Sequence, residues 1–148
     1  MPPLTGDFGK LARWERALGQ LATGKAAFDI ADEMADTALG LVAESFGRES
    51  DPFGRRWAPK KTPNGKAILR GETNRLVQWR KSFVNQYGYA ITSRATYAKF
   101  HQRGTFNKDG SQRMVARPMA PTGRRLPPKW SSEFRGVYLR RMHALLTK

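Results

Sequence analysis

The chain reads as an α+β protein with two N-terminal helices, a small antiparallel β-sheet with long loops, and a C-terminal helix. Three observations predict this. Apolar residues recur at helical spacing in two segments before residue 48 and again from Trp130 onward. Between them, residues 82–93 are rich in Phe, Val, Tyr, Ile and Thr, the composition of strands. Turn-forming Pro, Gly and Asn gather around the middle segments. Helices set at the ends of a strand-bearing middle indicate α+β rather than alternating α/β order.

The first helix is marked by Phe8, Leu11, Trp14, Leu18 and Leu21, which share one face, with Asp7 placed to cap it. Thr23-Gly24 interrupts the pattern. A second helix follows the series Ile30, Met34, Ala38, Leu41, Val42 and Phe46, and Gly47 is positioned to end it. Asp29, Asp32, Glu33, Asp36 and Glu44 occupy its other sides. They crowd towards its N-terminal half, where the helix dipole favours acids, and they read as a solvated face.

Character changes at Asp51. Asp51-Pro52-Phe53-Gly54-Arg55-Arg56-Trp57 is a turn-rich loop built around one Trp, and Thr62-Pro63-Asn64-Gly65 adds a second turn. Tyr87-Gly88 is placed to turn a hairpin within residues 82–93. There Phe83, Tyr87, Tyr89 and Ile91 share one parity, as a half-buried strand requires. Residues 95–101 suit a short helix. Asn107-Lys108-Asp109-Gly110 suits a hairpin tip, with residues 114–117 as the returning strand. Residues 118–128 hold four prolines and a glycine, a linker or ordered arm. A closing helix then carries Trp130, Phe134, Val137, Arg141 and Leu145 on one stripe, with Pro127-Pro128 just before it. Arg140, Arg141 and Lys148 lie towards its end, as the dipole prefers. The parts are residues 1–48, helical; 49–120, loops and sheet of the same domain; and 121–148, Pro-rich arm and helix. No internal repeat is visible.

With 148 residues and 39% apolar content, the chain supports one small core, for which four Trp, eight Phe and four Tyr supply the large surfaces. No run approaches the ~20 apolar residues of a membrane span. Residues 1–7 have neither a basic lead nor an apolar run, so no secretory signal is expected. Without cysteine there is no disulfide framework and no thiolate, consistent with folding in the cytoplasm. The net charge of +15 is unevenly placed. Residues 1–50 carry five basic and eight acidic side chains, and residues 51–148 carry 22 basic and four acidic. Such a field draws anionic partners: nucleic acid first, an acidic protein surface second.

Little in the chain suggests catalysis. His101 and His143 stand far apart, without metal-ligand spacing, and a structural hydrogen bond is the expected role of His101. Asp51, Glu72, Asp109 and Glu133 are isolated among bases, unlike the converging carboxylates of a metal-dependent nuclease. No phosphate-cradling glycine motif and no nucleophile elbow occurs. The chain is therefore expected to be no enzyme and to need no cofactor or metal. Bases interleave with aromatics at Arg55-Arg56-Trp57, Trp79-Arg80-Lys81 and Lys129-Trp130. Either the rings stack nucleobases, or, the preferred reading, they are core and the bases reach outward. The candidates for contact with DNA or a partner protein are Arg55, Arg56, Lys60, Lys61, Arg80, Lys81, Arg124, Arg125 and Lys129.

Four segments together resemble the phage virion morphogenesis family, the tail-completion proteins of contractile-tailed phages and Mu-like prophages. Asp51-Pro52-Phe53-Gly54-Arg55-Arg56-Trp57 is similar to the family's Asp-Pro-x-Gly-x-x-Trp loop. The stretch Ile68-Leu69-Arg70-Gly71 through Leu76 to Ser82-Phe83 is similar to its Leu-x-x-(Thr)-Gly-x-Leu-x-x-Ser-Ile block, with Asn74 where a Gly usually precedes the Leu. Tyr97-Ala98-Lys99-Phe100-His101-Gln102-Arg103-Gly104 resembles Tyr-Ala-x-x-His-Gln-x-Gly. Val115-Ala116-Arg117-Pro118-Met119 resembles Pro-Ala-Arg-Pro-Phe, with Val115 for the first Pro. The matches span residues 46–119, about half the chain.

The residue types suit a scaffold. Pro52 and Gly54 make a tight loop that presents Trp57 for burial. Tyr97 and His101 share a helix face. Arg117, extended before Pro118, suits pairing with an acidic group on a neighbouring subunit. The resemblance implies a neck component in the virion, at the top of the tail, built in the host cytoplasm as a homo-oligomeric ring of about six copies. Its implied neighbours are tail tube or terminator proteins and head-connector proteins, with non-specific contact to phage DNA and none to membrane. The Pro-rich arm and closing helix are the parts expected to reach an adjacent protein. The alternative is a free-standing, sequence-independent nucleic-acid-binding protein.

Overall fold

The structure, a computed structural model, describes residues 8–71 and 73–147. Asp7, Glu72 and Lys148, with the capping, isolated-acid and dipole roles expected of them, lie outside these residues. The order is α1 (Phe8–Ala22), α2 (Lys25–Arg48), a 3-10 turn (Arg75–Val77), β1 (Trp79–Asn85), β2 (Gly88–Ser93), α3 (Ala98–Arg103), β3 (Thr105–Phe106), β4 (Gln112–Met114) and α4 (Pro128–Thr147). The α+β class stands, but the strands form two separate two-stranded antiparallel sheets rather than one.

Helix α2 is the axis of the fold, with α4 and the β1–β2 hairpin packed on it and α1 resting on α2 and α4. Its buried side chains include Ala26, Ala31, Ala35 and Ala38, small residues that let neighbouring elements approach closely. Leu41, Val42 and Phe46 then enter the main core with Trp57, Leu76, Ala95, Met119 and Trp130. Phe46 and Trp57 meet edge to face, ring centres 5.5 Å apart. The helix runs past Gly47. It ends at Glu49, held at φ +51 while its N–H bonds the Ser45 carbonyl. A left-handed glutamate is tolerable because tertiary bonds fix it. Its carboxylate accepts the Ile68 N–H at 2.6 Å and its carbonyl accepts the Trp57 N–H at 2.8 Å.

The acids of α2 are not a free solvated face. Lys81 reaches Asp32 at 2.6 Å and Asp36 at 2.8 Å. Lys129 meets Glu44, which also pairs with Arg48, and Arg140 and Arg141 both grip Glu33. The basic part of the chain thus folds back onto the acidic helix. Arg140 and Arg141 owe their place to Glu33, since α4 continues to Thr147 and its last turn holds no base.

In the β1–β2 hairpin Asn85 accepts hydrogen bonds from the N–H groups of Tyr87 and Gly88, an Asx turn. A bulge between Lys81 and Phe83 breaks the expected parity. Past it, Phe83 pairs with Ala90 and is 52% exposed, while Tyr89 and Ile91 still pack on the core. One inserted residue moves a side chain to the opposite face. Tyr87 lies in the turn and is also exposed.

Helix α3 begins three residues later than the sequence indicates, after Ala95 has entered the core. The second hairpin tip forms as expected, closed by Asn107–Ser111 hydrogen bonds with Gly110 at φ +84. Its returning strand is Gln112–Met114 rather than residues 114–117, because Arg117 N–H bonds the His101 carbonyl instead of a strand partner. The Pro-rich segment is an ordered arm, with Met119 and Pro127 fully buried. Beyond it α4 buries Trp130 and Val137.

Candidate assembly site

Three of the four segments singled out in the sequence meet in one hydrogen-bond network, and the fourth joins them through Leu76 in the core. In the Asp51 loop the carboxylate accepts N–H bonds from Phe53 and Arg55, both at 2.9 Å. Asp51 N–H donates to the Arg55 carbonyl at 2.8 Å, and Gly54 takes φ +89 behind Pro52. This tight loop turns Trp57 inward, where it is 5% exposed and donates its indole N–H to the Pro118 carbonyl at 2.9 Å. Loop and arm, 61 residues apart, are thereby locked together.

Arg117 reinforces the same joint. Its Nε donates to the Ala58 carbonyl and its Nη2 to the Pro59 carbonyl, both at 2.9 Å. These donors hold the chain's own loop. Gln102 clamps the other side: its side-chain oxygen accepts the Met119 and Ala120 N–H groups, and its amide donates to the Ala120 carbonyl. Gly104, at φ +74, sits where a Cβ would lie 2.7 Å from the Met114 carbonyl oxygen, so a side chain is sterically barred there.

Tyr97 and His101 do share a face, their rings edge to face at 6.0 Å. Ala98 packs half-buried against the core. His101 differs from its expected role. Its Nδ1 is buried without a hydrogen-bond partner, and the bond it supplies comes from its main-chain carbonyl, to Arg117. Burial, and then the charge of Arg117, hold its imidazole below the usual histidine range. In the remaining segment, Leu76 is 4% exposed and Leu69 is partly buried at φ +60. Asn74 is at φ +49, a conformation that glycine adopts freely.

The nine candidate contact residues separate into groups. Lys81 and Lys129 are engaged by acids of α2. Hydrogen bonds to them hold Glu44, and likewise Glu33 under Arg140 and Arg141, below the usual carboxylate range, and the pairing with Asp32 raises Lys81. Lys60 donates to Asn64 Oδ1 and the Lys66 carbonyl. Arg55, Arg56, Lys61, Arg80, Arg124 and Arg125 are exposed and enter no ion pair among the described residues. Trp57 and Trp130 are buried, and Trp79 is partly buried with its indole N–H on the Leu76 carbonyl, so these rings present no free faces for nucleobases. No group of three or more His, Cys, Asp or Glu side chains among the described residues is arranged to hold a metal.

Sequence reasoning missed the outward face of α1. Leu11, Trp14, Leu18 and Leu21 are 64%, 49%, 59% and 44% exposed, and Ala17 is the one buried residue among the described side chains of this helix. Periodicity identified the stripe, but nothing in it told which side would face the protein. Arg70 and Arg75 were missed as well, being scattered in a loop without a motif of charge. No described helix is long and apolar enough to cross a membrane. No protein-family model, no curated protein and no solved structure matches the chain.

Proposed function

We propose that this chain is a non-enzymatic structural protein of phage tail completion, acting in the virion neck as a homo-oligomeric ring of about six copies that helps join tail to head. One observation carries the reading. Three of the four segments that resemble the tail-completion family converge on one joint, where Trp57 donates to Pro118, Arg117 donates to Ala58, Pro59 and the His101 carbonyl, and the fourth joins them through Leu76 in the core. Asn74, which stands where the resembled pattern has Gly, adopts a left-handed backbone that glycine takes up freely. The exposed apolar stripe of α1 supports self-assembly, since contiguous uncovered apolar surface marks an interaction site. Tail tube or terminator and head-connector proteins are its proposed neighbours.

The direct test images the purified protein, and virions carrying a tagged copy, for rings at the neck. Loss of the gene is expected to leave filled heads and unfinished tails apart. Normal infectious particles without the protein overturn the reading. A second reading, a free-standing nucleic-acid-binding protein without sequence preference, is favoured by the six exposed bases that lack acidic partners among the described residues. A strictly monomeric protein that binds duplex DNA supports that alternative.

A further inference from the structure

Two clefts meet at Arg70. The larger, about 680 Å³, runs between the end of α2 and the Asp51 loop and includes Arg56 in its wall. The smaller, about 320 Å³, carries Lys60, Arg75 and Arg117. Arg70 borders both.

The charges here differ from those elsewhere on the molecule. Arg56, Arg70 and Arg75 are exposed and enter no ion pair among the described residues. Lys60 and Arg117 donate only to neutral oxygens, namely Asn64 Oδ1 and the carbonyls of Lys66, Ala58 and Pro59. A cation bonded to a carbonyl keeps its charge, and the field of Arg117 is felt at His101. Arg48 in the larger cleft is balanced by Glu44. Glu49 in its wall also keeps its charge while accepting the Ile68 N–H, so it sets one negative charge against the cations of the larger cleft. By contrast Lys81, Lys129, Arg140 and Arg141 are neutralised on α2.

We propose that the paired clefts around Arg70 form a binding track for the phosphate backbone of duplex DNA, read without sequence preference. Arginine forks suit phosphate oxygens, and five cations without ion pairs among the described residues outnumber Glu49 along the joined depressions and suit a ligand with repeated negative charge. A protein partner needs a desolvated apolar centre as well. None of the large exposed apolar side chains lines the larger cleft, and Tyr97 alone of them borders the smaller. Leu69, just before Arg70, is itself left-handed at φ +60. The track belongs to the surface of one chain and does not depend on ring assembly.

The test is fluorescence anisotropy of the full chain with a labelled 30-base-pair duplex of arbitrary sequence, titrated across salt. Wild type is expected to bind, with affinity falling steeply as salt rises. Arg70→Ala and Arg56→Ala should each lower the log–log salt slope by about 0.9, one phosphate contact apiece. Arg70→Glu should weaken binding roughly tenfold or more at low salt. The double variant Lys108→Ala/Arg135→Ala, two exposed bases outside both clefts, should keep its affinity within about twofold. Thermal melts of each variant confirm an intact fold. No binding by wild type at 50 mM salt, wild-type affinity in Arg70→Glu, or equal loss in the control variant overturns the proposal. So does a polyglutamate peptide that competes as well as DNA, which would assign the track to acidic protein. A monomer that binds DNA through Arg70 upholds the track while removing the ring.

Discussion

The indole N–H of Trp57 donates to the carbonyl of Pro118 at 2.9 Å, and this bond joins the Asp51 loop to the Pro-rich arm. The ring itself is 5% exposed and packs edge to face on Phe46. Two losses are therefore separable. Trp57→Phe keeps most of the packing but leaves the Pro118 carbonyl without its donor, an expected cost of about 1–3 kcal/mol. Trp57→Ala also opens a cavity and should cost about 3–5 kcal/mol. Urea denaturation of the three proteins checks the order, and equal costs for both variants would contradict it.

Glu33 receives both Arg140 and Arg141 and so ties α2 to the distal half of α4. Its carboxyl is held below the usual value, hydrogen bonding from Arg140 being the largest cause. A lowered carboxylate contributes stability above its unfolded value and loses it as pH falls through the folded one. Because both arginines are about half exposed or more, solvent screens the pairs, and Glu33→Gln should cost only about 0.5–1 kcal/mol. The cost should shrink below pH 4 and in 1 M salt. A cost unchanged by either condition would point to packing instead.

His101 works in the opposite direction. Its folded-state value is depressed by burial and by Arg117, so the native state favours the neutral ring. As pH falls below the unfolded value near 6.5, the unfolded chain takes up the proton first and stability declines. Melting temperature is expected to drop between pH 7.5 and 5.5 in wild type and to stay flatter in His101→Leu. A parallel drop in both proteins would assign the effect to other groups.

Asn74 sits at φ +49 just before the turn that buries Leu76. Asn74→Gly should be neutral or stabilising by a few tenths of a kcal/mol. Asn74→Val, β-branched in a left-handed site, should cost about 1–2 kcal/mol. The expected sequence in melting temperature is Gly at or above Asn, with Val lowest.

The stripe of α1 separates folding from assembly. Leu11 and Leu18 are more than half exposed, so Leu11→Ser/Leu18→Ser should shift chemical stability of the monomer by no more than about 0.5 kcal/mol per site. Self-association, followed by sedimentation velocity, should weaken by tenfold or more if this face joins copies. Oligomers of undiminished strength would assign the interface elsewhere.

Local patterns carried much of the fold. Periodicity marked α1, α2 and α4, and Tyr87-Gly88 and Asn107 to Gly110 marked the two hairpin tips, because backbone preference and burial period act over a few residues. Boundaries held less well where distant groups intervene. Gly47 does not end α2, because Glu49 is held left-handed by Ile68 and Trp57. Phe83 turns outward, because a bulge resets the register. Of the candidate site, the Asp51 loop, Trp57 and the residues around His101 were legible. That Arg117 holds Ala58 and Pro59 was not, since the carbonyls it meets lie 58 and 59 residues away.

The sequence by itself determined that this is a small α+β protein with an acidic helical start and a strongly basic remainder, since composition and periodicity are properties of the chain. Only the tertiary structure decided which charges remain uncompensated. Lys81, Lys129, Arg140 and Arg141 fold back onto the acids of α2, while Arg56, Arg70 and Arg75 find none among the described residues. The physical reason is that a charge is neutralised by what stands within a few ångströms of it, and those neighbours are set by the packing of distant segments.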